Sequence, residues 1–279
     1  MNLSCFHQWV REKKKDTLVM GILNITPDSF SDGGKYEHVD KAVNFALQME
    51  AEGANIIDVG GESTRPGANS VSILEECNRV LPVIEGIKSK SEVLISIDTY
   101  KSDVARQSIK AGAEMVNDIS GMTFDSNMAK LISETKLPVI LMHIKGTPKN
   151  MQENPEYDDL IKEVSGYLRA RVKYAKGNGI LEWQIILDPG IGFGKRLDDN
   201  FRLLRELKVI EELGFPVLIG PSRKSFIGLT LNLPVDQRIE GTAAAVTAGI
   251  LNGARIVRVH DVKEIKQVVK ITDKIRGYA

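Results

Sequence analysis

The polar side chains best suited to chemistry in this sequence share one context. Each stands at, or just beyond, the end of a short apolar run. Asn24 closes the run 18–23, and Asp58 lies in 55–59, with Glu62, Ser63, Thr64 and Arg65 after it. Asp98 follows 93–97, Asn117 and Asp118 follow 114–116, His143 follows 138–141, and Asp188 follows 184–187. Ser222, Arg223 and Lys224 come after 216–219, and 255–259 carries Arg258 and leads to His260. Carboxylates, amides and cations at eight successive run ends are the donor and acceptor set of a polar binding or catalytic site. Taken singly, each has a plainer reading. Asp58, Asp98 and Asp118 suit helix N-caps or loop ties, because Asp is common just after strands. Arg258 and His260 suit a structural ion pair, Lys224 an ordinary charged loop, and His143 a packed, hydrogen-bonded histidine. The joint pattern is what those readings explain poorly.

The alternation of segments supplies the means to bring the run ends together. The runs are short and mostly continuous, as expected of strands covered on both faces in a parallel sheet. Helical patterns occupy 39–51, 71–87, 102–111, 127–134, 156–177, 200–212, 237–252 and 261–275. Gly53, Gly112, Gly214 and Gly253 suit left-handed helix caps. No linker divides the chain, and eight βα units of roughly 35 residues use up its length. The expectation is an α/β fold, a single (β/α)8 TIM barrel over 17–279, with 1–16 as an N-terminal extension. Such barrels work at the C-terminal ends of their strands, so the eight polar groups would meet at one mouth. A doubly wound open sheet is the alternative, but it would carry a Gly-rich fingerprint after its first strand, and none is there.

Connections at 25–38, 60–70 and 144–156 exceed the usual span of about 2–6 residues. The first two, rich in Gly, Ser, Thr and Pro, read as mobile lids over the mouth, or more plainly as permissive insertions. Gly190-Ile-Gly-Phe-Gly-Lys195 imitates a phosphate loop but lacks the spacing, and Arg196 rather than Ser or Thr follows its lysine. It reads as a tight loop whose glycines let backbone approach a ligand, with Phe193 as an apolar wall.

Composition narrows the function classes. The chain has 279 residues, 37 Lys plus Arg against 37 Asp plus Glu, and 42% hydrophobic residues. That is ample for a large core and argues against disorder. Zero net charge provides no overall field to hold a nucleic acid. The one basic cluster, Lys13 to Lys15, reads as a solvated segment. No run approaches the roughly 20 apolar residues of a membrane helix, and no signal peptide is visible. Two cysteines, Cys5 and Cys77, fit a reduced cytoplasmic protein, and the four histidines are too scattered for a zinc signature.

Eight segments resemble the dihydropteroate synthase family, in order and over nearly the whole chain. They are MGILNITPDSFSDGG at 20–34, GANIIDVGGESTRPGA at 53–68, ISIDTY at 95–100, VNDISG at 116–121, LMHIKGTPKNMQ at 141–152, LDPGIGFGK at 187–195, GPSRKSFIG at 220–228 and RVHDV at 258–262. The resemblance implies a homodimeric (β/α)8 barrel. It implies condensation of 6-hydroxymethyl-7,8-dihydropterin pyrophosphate with p-aminobenzoate, with Mg²⁺, giving 7,8-dihydropteroate and pyrophosphate. By the same resemblance Asp188 accepts the pterin's N–H and amino group in a fork. Asn117 reads the neighbouring ring edge, Lys224 donates to the 4-oxo and N5 side, and Asp98 faces the far side of the ring. Ile119, Met142 and Arg258 cover its faces. Asn24 matches the Mg²⁺ ligand, a hard oxygen donor. Arg258, His260 and, in part, Thr64 match the pyrophosphate pocket. Asp98, Lys224, Arg258 and His260 are then the catalytic set, serving a dissociative displacement in which departing charge and a cationic pterin are stabilised. p-Aminobenzoate falls between the lid loops, near Arg65, Pro66, Phe193, Lys224 and Ser225, and sulfonamides should compete there. The alternatives are a methyltetrahydrofolate methyltransferase-type barrel, which would share Asp98, Asn117 and Asp188 but not the two loop motifs, and a non-catalytic pterin-binding barrel. A third is an aldolase-like barrel with Lys224 as Schiff-base nucleophile, its pKa lowered by Arg223.

Overall fold

The computed structural model describes residues 1–12, 16–26 and 35–278. The basic cluster Lys13 to Lys15, and residues 27–34 of the first long connection and its motif, lie outside the described residues. Eight strands form one closed parallel barrel in sequence order: β1 Leu18–Asn24, β2 Ile56–Gly60, β3 Leu94–Asp98, β4 Met115–Asp118, β5 Val139–Met142, β6 Ile185–Asp188, β7 Val217–Ile219 and β8 Ala254–Val259. The expected barrel is therefore the observed one.

The helices are α1 Leu3–Arg11, α2 Lys35–Ala51, α3 Ile73–Lys88, α4 Ser102–Ala111, α5 Met128–Thr135, α6 Leu160–Gly177, α7 Leu197–Arg205, α8 Lys208–Glu211, α9 Ser225–Leu231, α10 Ile239–Leu251 and α11 Val262–Arg276. Gly53, Gly112, Gly214 and Gly253 all take the expected positive φ. Four features differ from the sequence reading. Within the expected extension, Leu3–Arg11 forms the helix α1. The pattern at 156–177 becomes a helix only at Leu160, where Asp159 caps it by accepting from the Lys162 N–H. The pattern at 200–212 is two helices, α7 and the single turn α8. The short apolar stretch 225–231 is a helix in its own right, too brief to show a period.

Strand periodicity sorts side chains into two layers. Val19, Leu23, Ile57, Val59, Ile95, Ile97, Val116, Val139, Leu141, Ile185, Leu187, Val217, Ile219, Val257 and Val259 face outward and are buried under the helices. The alternate residues face the barrel axis. Its lower part is apolar, built from Leu18, Met20, Ile56, Leu94, Met115, Ile140, Ile186, Leu218 and Ile256. Burial of both faces is why the runs read as continuous rather than alternating.

Residues 3–11 close the bottom of this interior. Asn2 caps α1 by accepting from the Cys5 N–H. Phe6 and Trp9, one turn apart, are buried in the same cluster as the lower barrel layer. The Trp9 indole donates to the Asp16 carbonyl at 2.9 Å, and the Arg255 guanidinium lies 4.3 Å from the Trp9 ring. Large aromatic-to-alanine changes in a core cost about 3–5 kcal/mol. Phe6→Ala should lower unfolding stability by about that amount in urea titration while leaving the kinetics of the distant mouth unchanged.

Candidate active site

The register puts polar residues in one row across the top of the barrel. Asn24 pairs with Gly60, Gly60 with Asp98, and Asp98 with Asn117. A Cβ on Gly60 would stand 3.5 Å from the Asp98 Cβ and 3.6 Å from Asn24 Oδ1. The bare glycine thus lets the first and third strands face each other across the second. One step down the axis, in phase with Ile56 and Gly60, lies Asp58, with no exposed surface. Across the barrel Met142 pairs with Asp188.

Arg258 joins these strands. Its Nε donates to Asp58 Oδ2 at 2.6 Å and its Nη2 to Asp98 Oδ2 at 2.7 Å. Asn117 Nδ2 donates to the same Asp58 oxygen at 3.0 Å. Burial opposes the charge on Arg258, but Asp58 and Asp98 more than offset it and raise its pKa. Burial pushes the Asp98 pKa up, with Asp58 adding to the rise and Arg258 opposing it. Asp98 Oδ1 is buried without a hydrogen bond, an acceptor on the pocket wall available to a ligand.

Asp98, Asn117, Ile119, Met142, Asp188, Lys224 and Arg258, the seven residues expected to hold a flat bicyclic ring, line one pocket with Phe193. Ile119, Met142 and Phe193 share an apolar cluster with Ile144 and Met151. Asp188 accepts from the Gly190 N–H at 2.7 Å, and burial raises its pKa to about 6. The Lys224 ammonium stands 4.0 Å from the Phe193 ring centroid. Its pKa falls to about 8 through burial and the nearby Arg258. Arg223 takes no part in that lowering. It turns away and donates from Nε to Asp261 Oδ2 at 3.0 Å, so the expected cause of the lowering, Arg223, is replaced by burial and Arg258.

The remaining expected residues do not line this pocket. Asn24 is half-buried at the end of β1, and Thr64 is half-buried while Arg65 and Pro66 are exposed on the loop 60–70. The Gly67 N–H of that loop donates to the Pro148 carbonyl at 3.1 Å, bridging two of the long connections. Ser225 is exposed as the first residue of α9, next to Lys224. His260 packs against Ser222, whose hydroxyl contacts Nδ1 at 3.0 Å while accepting from the His260 backbone N–H at 3.2 Å. Burial, then Arg258, lowers the His260 pKa to about 4, which favours the neutral imidazole at pH 7.

Two plainer readings hold. Asp118 faces away from the axis and ties the next loop, accepting from the Ser120 and Met122 N–H groups at 2.8 Å each. His143 is buried and accepts a hydrogen bond from Lys195, its pKa held near 2 by burial and that lysine. The reading of the glycine loop needs correction. A Cβ on Gly190 would meet the His143 carbonyl at 1.9 Å, and one on Gly194 the Lys145 carbonyl at 2.6 Å. Those two glycines admit neighbouring protein backbone rather than a ligand, while Gly192 faces Lys224. Sequence reasoning missed Ile191 and Gly220 on the pocket wall and the part of Asp58 in holding Arg258 and Asn117. The signal for Asp58 was present, since it shares the inward phase of β2.

The profile of pterin binding enzymes matches residues 20–260 of this chain. The chain is 50% identical over 262 residues to dihydropteroate synthase from Synechocystis, covering 94% of this chain and 91% of that protein. It is 51% identical over 260 residues to the Bacillus subtilis dihydropteroate synthase, covering 93% and 89%. Its fold superposes on the Yersinia pestis dihydropteroate synthase bound to a sulfonamide drug with a TM-score of 0.89 at 44% identity, covering 94% of this chain and 95% of that one. The Xanthomonas albilineans enzyme with 4-aminobenzoic acid gives a TM-score of 0.88 at 40% identity, covering 96% and 95%. The chain belongs to the pterin-binding enzyme family. Within that family it stands among the dihydropteroate synthases, which are transferases.

Only the ionised Asp188 can accept two adjacent donors. Because its pKa is raised to about 6, pterin affinity measured by calorimetry should rise as pH climbs through that value and fall again above about 8 as Lys224 loses its proton. Asp188→Asn should bind weakly at every pH, with that inflection gone.

Proposed function

We propose that the chain condenses 6-hydroxymethyl-7,8-dihydropterin pyrophosphate with p-aminobenzoate. The observation that carries this reading is the convergence of Asp98, Asn117, Asp188 and Lys224 on one pocket faced by Ile119, Met142 and Arg258. Asp188 accepts the forked pterin donors, Asn117 reads the adjoining edge, and Lys224 donates to the 4-oxo and N5 side. The guanidinium of Arg258, fixed in plane by Asp58 and Asp98, covers one ring face. Loss of the pyrophosphate leaves positive charge on the pterin, and Asp98 faces it with a free oxygen. The p-aminobenzoate nitrogen, neutral at pH 7, then attacks the exocyclic carbon without a prior base. Its ring lies against Phe193, under Arg65 and Pro66, with its carboxylate toward Ser225.

Asn24, Thr64, Arg258 and His260 surround the departing pyrophosphate. Ser222 contacts His260 twice, through Nδ1 and the backbone N–H, which fixes the ring's orientation toward that pocket. Among the described residues no group of three His, Cys, Asp or Glu side chains could hold a metal. A lone amide oxygen, Asn24, fits Mg²⁺ shared with substrate phosphates, since that ion is usually held by few protein ligands. When bound, the ion neutralises charge on the leaving group.

A homodimer is part of the same reading. It is supported by the exposed Phe201, Leu229, Leu231, Leu251, Ile271 and Ile275 on the neighbouring helices α7, α9, α10 and α11. Among the described residues no helix is long and apolar enough to cross a membrane. The free thiols of Cys5 and Cys77 support a cytoplasmic location.

The test is pyrophosphate release and dihydropteroate formation with and without p-aminobenzoate and Mg²⁺. Dihydropteroate should appear only with all components, and a sulfonamide should raise the KM for p-aminobenzoate. Asp188→Ala should weaken pterin binding by about 2–5 kcal/mol, the cost of leaving buried partners unpaired. Arg65→Ala should chiefly raise the KM for p-aminobenzoate, and loss of pterin binding instead would refute the loop's part. Sedimentation should give twice the chain mass.

A further inference from the structure

The loop carrying Thr64, Arg65 and Pro66 is closed at its neck by a buried ion cluster that the reaction does not use. Glu62 precedes the loop and Val71 ends it, and Glu62 Oε2 accepts from the Val71 N–H at 2.9 Å. Lys101 sits on this junction. Its Nζ donates to Glu62 Oε2 at 2.6 Å, to the Val71 carbonyl at 2.7 Å and to Glu76 Oε2 at 2.6 Å. An ammonium has three donors, and all three are engaged. The remaining Glu62 oxygen accepts from the Tyr100 hydroxyl at 2.8 Å. The side chains of Glu62, Glu76 and Lys101 are only 7%, 1% and 14% exposed.

Residues 63–70 are therefore a compact surface loop with its ends drawn together. The clamp reaches it from the segment after β3, the strand that carries Asp98. Neither Lys101, Glu62 nor Glu76 lines the ring pocket. Beyond the neck, the loop's backbone hydrogen bond to the rest of the described residues is the Gly67 N–H to the Pro148 carbonyl, at 3.1 Å. Arg65 and Pro66 lie within the loop whose ends the neck holds together.

We propose that Lys101 and Glu62 are positioning residues that close the neck of the loop 63–70 and set where Arg65 and Pro66 stand, acting on p-aminobenzoate while leaving the pterin pocket intact. This rests on the reading that the loop serves p-aminobenzoate. The experiment compares Lys101→Met, Glu62→Gln and Arg65→Ala in steady-state kinetics with both substrates, together with amide hydrogen exchange across 62–71. Lys101→Met and Glu62→Gln should raise the KM for p-aminobenzoate about tenfold, since small misplacement of a positioned group is costly. The KM for the pterin substrate should stay within about twofold, and a general loss of fold would not produce that split. Exchange in 63–70 should quicken while the barrel strands stay protected. If Lys101→Met does not fold, Glu62→Gln decides, since it keeps the shape and removes one charge. Folded variants with unchanged loop exchange and unchanged KM for p-aminobenzoate overturn the clamp, as does a parallel rise in both KM values. Quickened exchange combined with an unaltered KM in Arg65→Ala overturns the assignment of the loop to p-aminobenzoate, and the proposed effect on that substrate falls with it.

Discussion

The mouth of this barrel depends on one guanidinium. Asp58, Asp98 and Asp188 are three carboxylates brought into a small, largely buried volume with Lys224 and Arg258 as the cations. Charges taken out of water are costly unless paired in good geometry. Arg258 meets that condition by spending separate nitrogens on Asp58 and Asp98, so that strands β2, β3 and β8 are cross-linked at their functional ends. The rest of the pocket follows from that fork. Asp58 is held where Asn117 can dock on it, the guanidinium plane becomes a wall, and its charge presses down the pKa of Lys224. A lysine at this position would provide a point charge and no plane.

The interior of the barrel shows the same economy along its axis. Below the fork the inward side chains are apolar and closed off by Phe6 and Trp9. Above it they become acidic, amide and cationic. In β1, β3, β4, β6 and β8 the inward-facing side chains begin apolar and end on a polar group, Asn24, Asp98, Asn117, Asp188 and Arg258, so the hydrophobic core and the site share a single period-two pattern. Chemistry is confined to one end because the other end is already filled.

Much of this was readable in the chain. Eight apolar runs gave eight strands, because strands buried on both faces leave a continuous apolar signal. Asp98, Asn117, Asp188, Lys224 and Arg258 were legible together, since inward-facing polar residues at the run ends of this fold converge on one mouth, whereas the outward-facing Asp118 does not. The part of Asp58 was harder to see: an aspartate inside a strand reads equally as a loop tie until its partner is known, and Arg258 lies 200 residues away. The same holds for Lys101, which reads as an ordinary charge before a helix and is in fact enclosed by Glu62 and Glu76. The glycines at 190 and 194 were misjudged for a related reason. A tight loop announces that something comes close, but not whether that is a ligand or the His143 and Lys145 carbonyls. Helix α1 left a faint trace, a single pair of aromatics one turn apart, whose meaning lay in the floor they cover.

That floor ties the two ends of the polypeptide to each other. Phe6 and Trp9 are buried in one cluster with Leu218 and Ile256, Arg255 donates to the Glu12 carbonyl at 2.9 Å, and the Thr17 N–H donates to Asp273 at 2.7 Å across 256 positions. Residues 3–17 therefore have no complete surface to settle on until β8 and α11 are in place. Contacts of such sequence separation make folding slow. Removing the final helix would take away the acceptor that anchors the residue just before β1, so the barrel is fastened like a clasp, with neither end secure until both are present.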